Sequence, residues 1–138
     1  MFELLPRKVV TVDGGNVYHC LKSSDSSYTG FGESYFSTIN LNYIKGWKRH
    51  RVMHMNLCCI HGEVQFYISN CHTPQDYDFS SVNLTPKNHS TLSVFPGAWF
   101  AFRGLSSEIS IILNISSIEH NETEVDRLPL NHFLCNWL

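Results

Sequence analysis

Gly46-Trp47-Lys48-Arg49-His50-Arg51-Val52-Met53-His54, with a turn at Gly62 closing the strand that follows, is the stretch on which the fold turns. Successive side chains of an extended strand point to opposite faces, so Lys48, His50, Val52 and His54 are expected on one face and Trp47, Arg49, Arg51 and Met53 on the other. One face then gathers three groups of the proton-transfer or metal-ligand type within about 20 Å, at roughly 3.3 Å of rise per residue.

Outward from this stretch, short segments rich in Val, Ile, Phe, Tyr and Thr recur between turn signals, and no long helical period interrupts them. Strands are expected over 8–12, 17–21, 32–40, 44–50, 54–60, 63–69, 77–84, 91–95, 98–104 and 108–116. Asp13-Gly14-Gly15-Asn16, Pro86-Lys87-Asn88 and Pro96-Gly97 are among the turns between them. Many short strands at this spacing predict an all-β closed barrel or double-sheet jelly roll. Residues 119–124 read as a turn, and the tail from Leu128 to Leu138 is apolar enough to pack on the body or on a neighbour.

With 138 residues the chain is expected to form one domain, 1–138, large enough to bury a substantial core. Hydrophobic residues at 43% and charged residues at 16% argue against disorder. A net charge of -2 offers no basic field for nucleic acid, and the Lys and Arg residues between 45 and 51 form a local cluster suited to a small anion. The five cysteines contain no CxxC pair, and the start Met-Phe-Glu-Leu-Leu-Pro does not read as a secretory signal, so a cytoplasmic protein with reduced thiols is expected. The Asn-x-Ser/Thr triplets at Asn83, Asn88, Asn114 and Asn121 are assigned to chance and turn chemistry. No apolar run reaches the roughly 20 residues of a membrane helix.

Three blocks then bring a family into view: Gly32-Glu33-Ser34-Tyr35-Phe36-Ser37, Ile44 to His50 running on to Gly62, and Phe95-Pro96-Gly97-Ala98-Trp99-Phe100-Ala101-Phe102 with the strand to Asn114. In order and spacing the chain resembles the cupin-type sugar-nucleotide enzymes, namely the dTDP-4-dehydrorhamnose 3,5-epimerases and the dTDP-hexulose 3,4-ketoisomerases. The resemblance implies a cupin jelly-roll barrel with little helix, usually a homodimer, that holds a nucleotide-linked 4-keto-6-deoxy sugar in its mouth during surface-polysaccharide sugar synthesis. No cofactor is expected. The family frame of a basic residue, Gly, an apolar residue and the catalytic His reads here as Lys45-Gly46-Trp47-Lys48, so lysine takes the histidine position. The ketoisomerase His-x-His pair keeps only its second member, as His50, and the epimerase tyrosine falls at or beside Asn114.

Both reactions begin by removing a proton next to a ketone, which requires a base that operates near neutrality and a donor for the enolate. His50 is assigned as the base and charged Lys48 as the partner of the enolate. Lys45 matches the cation that holds the diphosphate, with Arg51 or Arg103 either a second contact or a solvated charge. Glu33 and Tyr35 match positions that line the mouth, with Tyr35 alternatively a core aromatic. Trp47 and Trp99 either stack on a base or sugar or pack in the core, while Met53, Met55 and Phe102 are read as packing. A spacing of four along a straight strand sets His50 and His54 too far apart for easy chelation, and the remaining cupin ligand positions hold Lys48 and Phe100, so no metal is expected. The other six histidines are assigned to turns and ends. The alternative to an enzyme is a non-catalytic cupin that binds a sugar nucleotide or a partner protein.

Overall fold

The computed structural model describes residues 1–135. Strands β1 (Phe2–Pro6), β4 (Glu33–Ile39), β6 (Met55–His61), β9 (Ser90–Val94) and β11 (Ser110–Ser116) make one sheet, in the order β1-β9-β6-β11-β4. Strands β5 (Ile44–His50), β7 (Val64–Ser69), β8 (Phe79–Leu84), β10 (Trp99–Gly104) and β12 (Val125–Arg127) make the other, in the order β12-β5-β10-β7-β8. Neighbouring strands within both sheets run antiparallel. A two-stranded ribbon, β2 (Val9–Val10) and β3 (Val17–Tyr18), stands apart from them. The all-β jelly roll expected from the strand pattern is therefore the architecture observed.

Alternation builds the core. Val64, Phe66 and Ile68 of β7 point inward to meet Met55, Leu57 and Cys59 of β6 and Ile112 of β11. β6 is buried on its second face as well, because the segment 19–31 lies over it: Asn56 Nδ2 donates to the Ser27 carbonyl at 3.1 Å, and His54 Nδ1 lies 3.0 Å from Thr29 Oγ1. That cover accounts for the nearly unbroken apolar run of Met55-Asn56-Leu57-Cys58-Cys59.

The expected strands are present, some with trimmed or shifted ends, and two strands were not anticipated. β1 carries Leu4-Leu5-Pro6 without alternation and pairs only with β9. β12 is three residues long, includes Asp126 and Arg127, and pairs only with β5. Burial along β1 follows no period, and β12 is too short to show one, so neither carries a periodic signal.

Strand β5 departs from simple alternation in a way that shapes everything near it. Lys45 lies opposite Phe102 and Lys48 opposite Phe100, so Gly46 and Trp47 together face the single residue Ala101. This is a β-bulge, and it turns Lys45 onto the face of Lys48 and His50. Gly46 sits at φ +140°, and a Cβ there would lie 2.4 Å from the Ala101 Cβ, so no other residue type fits without displacement. Beyond His50 the expected face ends: Val52 is exposed, Met53 enters the core and His54 turns to the outer side of the first sheet.

Trp47 is 0% exposed and anchors the tail. Its Nε1 donates to the Leu130 carbonyl at 3.1 Å, and its backbone exchanges hydrogen bonds with Leu128. Phe133, 6% exposed, packs against Trp47, Phe79 and Trp99 at ring separations of 5.2, 4.8 and 6.2 Å. The tail thus packs on its own barrel through Phe133, whereas Asn136, Trp137 and Leu138 lie outside the described residues. Phe133→Ala is expected to cost about 3 kcal/mol in urea unfolding through loss of a buried ring; a change within about 0.5 kcal/mol, the range of an ordinary surface substitution, would show the tail to be unpacked.

Candidate active site

Between the sheets, at the open end of the barrel, lies a cavity of about 150 Å³. Lys45, Lys48 and His50 reach it from β5, Tyr35 from β4 and Asn114 from β11, above a floor that includes Phe66, Phe100 and Phe102. An outer vestibule shares Tyr35, Lys48 and His50 and adds Glu33, His120 and Arg127. Polar groups on an aromatic floor are what a ligand with a charged end and a compact ring requires.

His50 is buried and its ring lies parallel to that of Phe100 at 6.1 Å. Its Nδ1 lies 2.5 Å from Oε1 of Glu124, a carboxylate only 6% exposed. The other oxygen of Glu124 accepts backbone N–H bonds from Arg51 at 3.0 Å, Val52 at 2.9 Å and Met53 at 3.2 Å. Burial alone would raise the pKa of this carboxyl. The hydrogen bonds from His50, Val52 and Met53 outweigh it and hold the pKa below the ordinary value. An ionised Glu124 accepts, so the proton of the neutral imidazole resides on Nδ1 and the lone pair on Nε2, the nitrogen that remains for a ligand in the cavity.

Lys48 has its pKa lowered, first by burial and then by the charges of Arg127 and Lys45, against the opposing pull of Glu122. Lys45 Nζ donates to the Thr38 carbonyl at 2.7 Å across the mouth. Asn114, 1% exposed, donates from Nδ2 to the Tyr35 hydroxyl oxygen at 2.9 Å. That bond leaves the Tyr35 proton available to donate elsewhere, and the Asn114 Oδ1 is buried without a hydrogen-bond partner among the described residues. Glu33 holds the vestibule wall by accepting the His120 N–H at 2.8 Å. Arg127 is paired with Glu122 at 2.6 and 3.0 Å.

The structure therefore brings together Lys45, Lys48, His50, Tyr35, Glu33 and Asn114, and sets the other four expected site residues elsewhere. Trp47 and Trp99 belong to the aromatic cluster under the tail, with the Arg49 guanidinium 4.7 Å over the Trp99 ring. Arg51 faces away, 3.7 Å from Asp126 and bonded to the Thr123 carbonyl. Arg103 donates to Asn42 Oδ1 at 2.5 Å on the outward side of β10. Bulge and alternation explain all four, since each occupies the face opposite the cavity. Glu124 and Arg127 were not anticipated. Within the acidic, polar run Glu119-His120-Asn121-Glu122-Thr123-Glu124 nothing local distinguishes the one carboxylate that is buried.

His50 and His54 do not converge: the His54 ring nitrogens lie 3.0 Å from Thr29 Oγ1 and 2.6 Å from Ser93 Oγ, on the outer side of the sheet. Among the described residues, metal-type donors gather in a group of three only at Cys20, Cys58 and His89, away from the cavity. No helix among the described residues is long and apolar enough to cross a membrane.

No sequence-family profile and no curated protein matches the chain. Solved structures do. A dTDP sugar isomerase from Desulfovibrio desulfuricans superposes with a TM-score of 0.88 at 24% identity, covering 99% of this chain and 90% of that one. A sugar 3,4-ketoisomerase from Thermoanaerobacterium thermosaccharolyticum, in complex with TDP, gives 0.77 at 17% identity, covering 92% and 88%. A dTDP-4-dehydrorhamnose 3,5-epimerase from Elizabethkingia anophelis gives 0.78 at 14%, covering 94% and 76%. The cupin jelly roll of these enzymes is the fold of this chain.

The lowered pKa of Glu124 fixes the sign of a stability effect. Its contribution is full above the ordinary carboxyl value of 4.5 and is lost as the pH falls through the lower folded value. Wild type is expected to exceed Glu124→Gln in urea midpoint at pH 7, with the gap closing below about pH 4. A gap independent of pH would show that the carboxylate charge plays no part.

Proposed function

We propose that the protein is a sugar-nucleotide isomerase that removes a proton beside the ketone of a dTDP-linked 4-keto-6-deoxy sugar. The observation that carries this reading is His50 at the cavity with Glu124 behind it, an imidazole whose proton is committed to Nδ1 and whose Nε2 serves as general base. In the reaction the C3 proton passes to Nε2 and its bonding electrons move into a C3–C4 double bond, leaving the charge on O4. Lys48 and the free proton of Tyr35 stabilise that oxygen. Returning the carbon proton to C4 while the O3 proton passes to O4 moves the ketone by one carbon and restores His50.

Two features support transfer of the ketone over two-sided epimerisation. Asn114 lies at or beside the position that the resemblance gives to the epimerase tyrosine, and an amide neither gives nor takes a proton near neutrality. His50 is also the one imidazole that lines the inner cavity among the described residues. Lys45 and Arg127, at the mouth and vestibule, suit a diphosphate by charge. The dTDP-sugar chemistry of the structurally similar enzymes supports the substrate class. Supply of a deoxy sugar to a surface polysaccharide by a homodimer completes the proposal on the resemblance alone, and a cytoplasmic setting rests on the cysteine pattern.

Proton NMR in deuterated water with dTDP-4-keto-6-deoxyglucose tests it. The parent protein is expected to wash out the C3 signal and move the ketone, and His50→Asn to slow this about 100- to 10,000-fold. Lys48→Ala should slow it by about 100-fold, the loss of one charge partner for the enolate oxygen. Equal turnover by both folded variants contradicts the assigned roles. Saturation transfer from bound nucleotide sugar without exchange at carbon would instead favour a non-catalytic binding protein.

A further inference from the structure

Away from the cavity, three segments remote in sequence meet on the outer face of the first sheet. Cys58 projects outward from β6, His89 follows the 3₁₀ turn Pro86–Asn88 just before β9, and Cys20 lies two residues beyond the ribbon strand β3. One donor atom from each lies within 4.8 Å of the other two, with Cys58 and His89 buried and Cys20 half-buried. Cys20 belongs to the start of the segment that covers β6, Cys58 and His89 are buried beside it, and the proton chemistry of the cavity uses none of them.

The surroundings are organised around these donors. The His89 Nε2 donates to the His19 carbonyl at 2.6 Å, which leaves Nδ1 as the nitrogen with a lone pair. The Tyr18 ring packs edge-on against the His89 ring at 5.3 Å and fixes its plane. Thr91 Oγ1 lies 3.2 Å from the Cys58 sulfur and donates to the Cys20 carbonyl at 2.6 Å, so it ties both cysteine segments together. The neighbouring Arg7 is paired with Asp25 at 2.8 Å. Two thiolates and one divalent cation would therefore add no net charge to the buried site.

We propose that Cys20, Cys58 and His89 form a binding site for a thiophilic divalent cation of the zinc class. Two thiolates and an imidazole are a donor set that such a cation prefers, and around a tetrahedral ion donors stand about 3.5–3.8 Å apart, so a contraction of at most about 1.3 Å completes the site. The fourth position falls to water or a small ligand. Because one ligand belongs to the ribbon side, one to β6 and one to the approach to β9, the ion would staple the N-terminal ribbon and the covering segment to the barrel. Binding would then add to stability by mass action.

The test uses the full chain, reduced, stripped with chelator and titrated with Co²⁺ and then Zn²⁺. The expected result is one cobalt per chain with a thiolate-to-cobalt charge-transfer band, displaced by zinc, and a thermal midpoint that rises with zinc. Cys20→Ser and Cys58→Ser should each lose the band, and Cys71→Ser and Cys135→Ser should keep it. A second measurement needs no variant: zinc should slow iodoacetamide labelling of Cys20 by at least about tenfold and leave Cys71 unchanged, the scale on which metal-site contacts act. Cobalt bound without a thiolate band, a band that survives Cys20→Ser, or labelling of Cys20 indifferent to zinc overturns the proposal.

Discussion

One buried carboxylate holds this barrel and its candidate site together. Glu124 draws three consecutive backbone N–H groups, from Arg51 to Met53, onto one oxygen and the His50 ring onto the other. The first set ends strand β5 and turns the chain into the core at Met53, so that β6 starts in register. The second orients the imidazole at the cavity. A buried charge of this kind is stable only when it is fully hydrogen-bonded, and removing any part of the arrangement leaves the remainder uncompensated. Fold and chemistry therefore depend on the same group, which helps explain why a three-residue strand, β12, persists at the sheet edge beside it.

The bulge at Gly46 and Trp47 is the second constraint, and it divides labour between the two faces of β5. On the inside it aligns Lys45, which plain alternation would turn to the opposite face, with Lys48 and His50. On the outside it places Trp47 under the tail, where its ring and N–H bind Phe133 and the Leu130 carbonyl. Cation spacing in the mouth and attachment of the C-terminal segment are two consequences of one extra residue in a strand. Crowding of Lys48 by Lys45 and Arg127 follows from the same geometry, since each occupies the mouth or its rim.

Much of this was legible in the sequence, and what was not has a physical reason. Period-two patterns and turn residues located the long strands because burial on one face enforces alternation there. They missed β1 and β12, which lie at sheet edges and bury too little to be patterned. Lys48, His50, Lys45, Tyr35, Glu33 and Asn114 line the cavity or its vestibule, and they were legible because the motifs of the resemblance tie each residue to a strand and a register. Trp47, Trp99, Arg51 and Arg103 lie elsewhere, because residue type alone does not tell a stacking aromatic from a core one or a phosphate cation from a paired one. Glu124 was invisible for a different reason: it lies 74 positions from His50, and its run of polar neighbours reads as solvated. The Cys20, Cys58 and His89 group shows the same limit, since no spacing motif links residues that only the jelly roll brings together.

The most direct test of the His50–Glu124 arrangement is nitrogen-15 NMR of the histidine rings, with His50 assigned by comparison with His50→Asn. A neutral ring with the proton fixed on Nδ1 and an unprotonated Nε2, lost or averaged in Glu124→Gln, is the predicted result. A neutral ring that carries its proton on Nε2 in the parent protein would contradict it, because the nitrogen facing the cavity would then have no lone pair with which to act as a base.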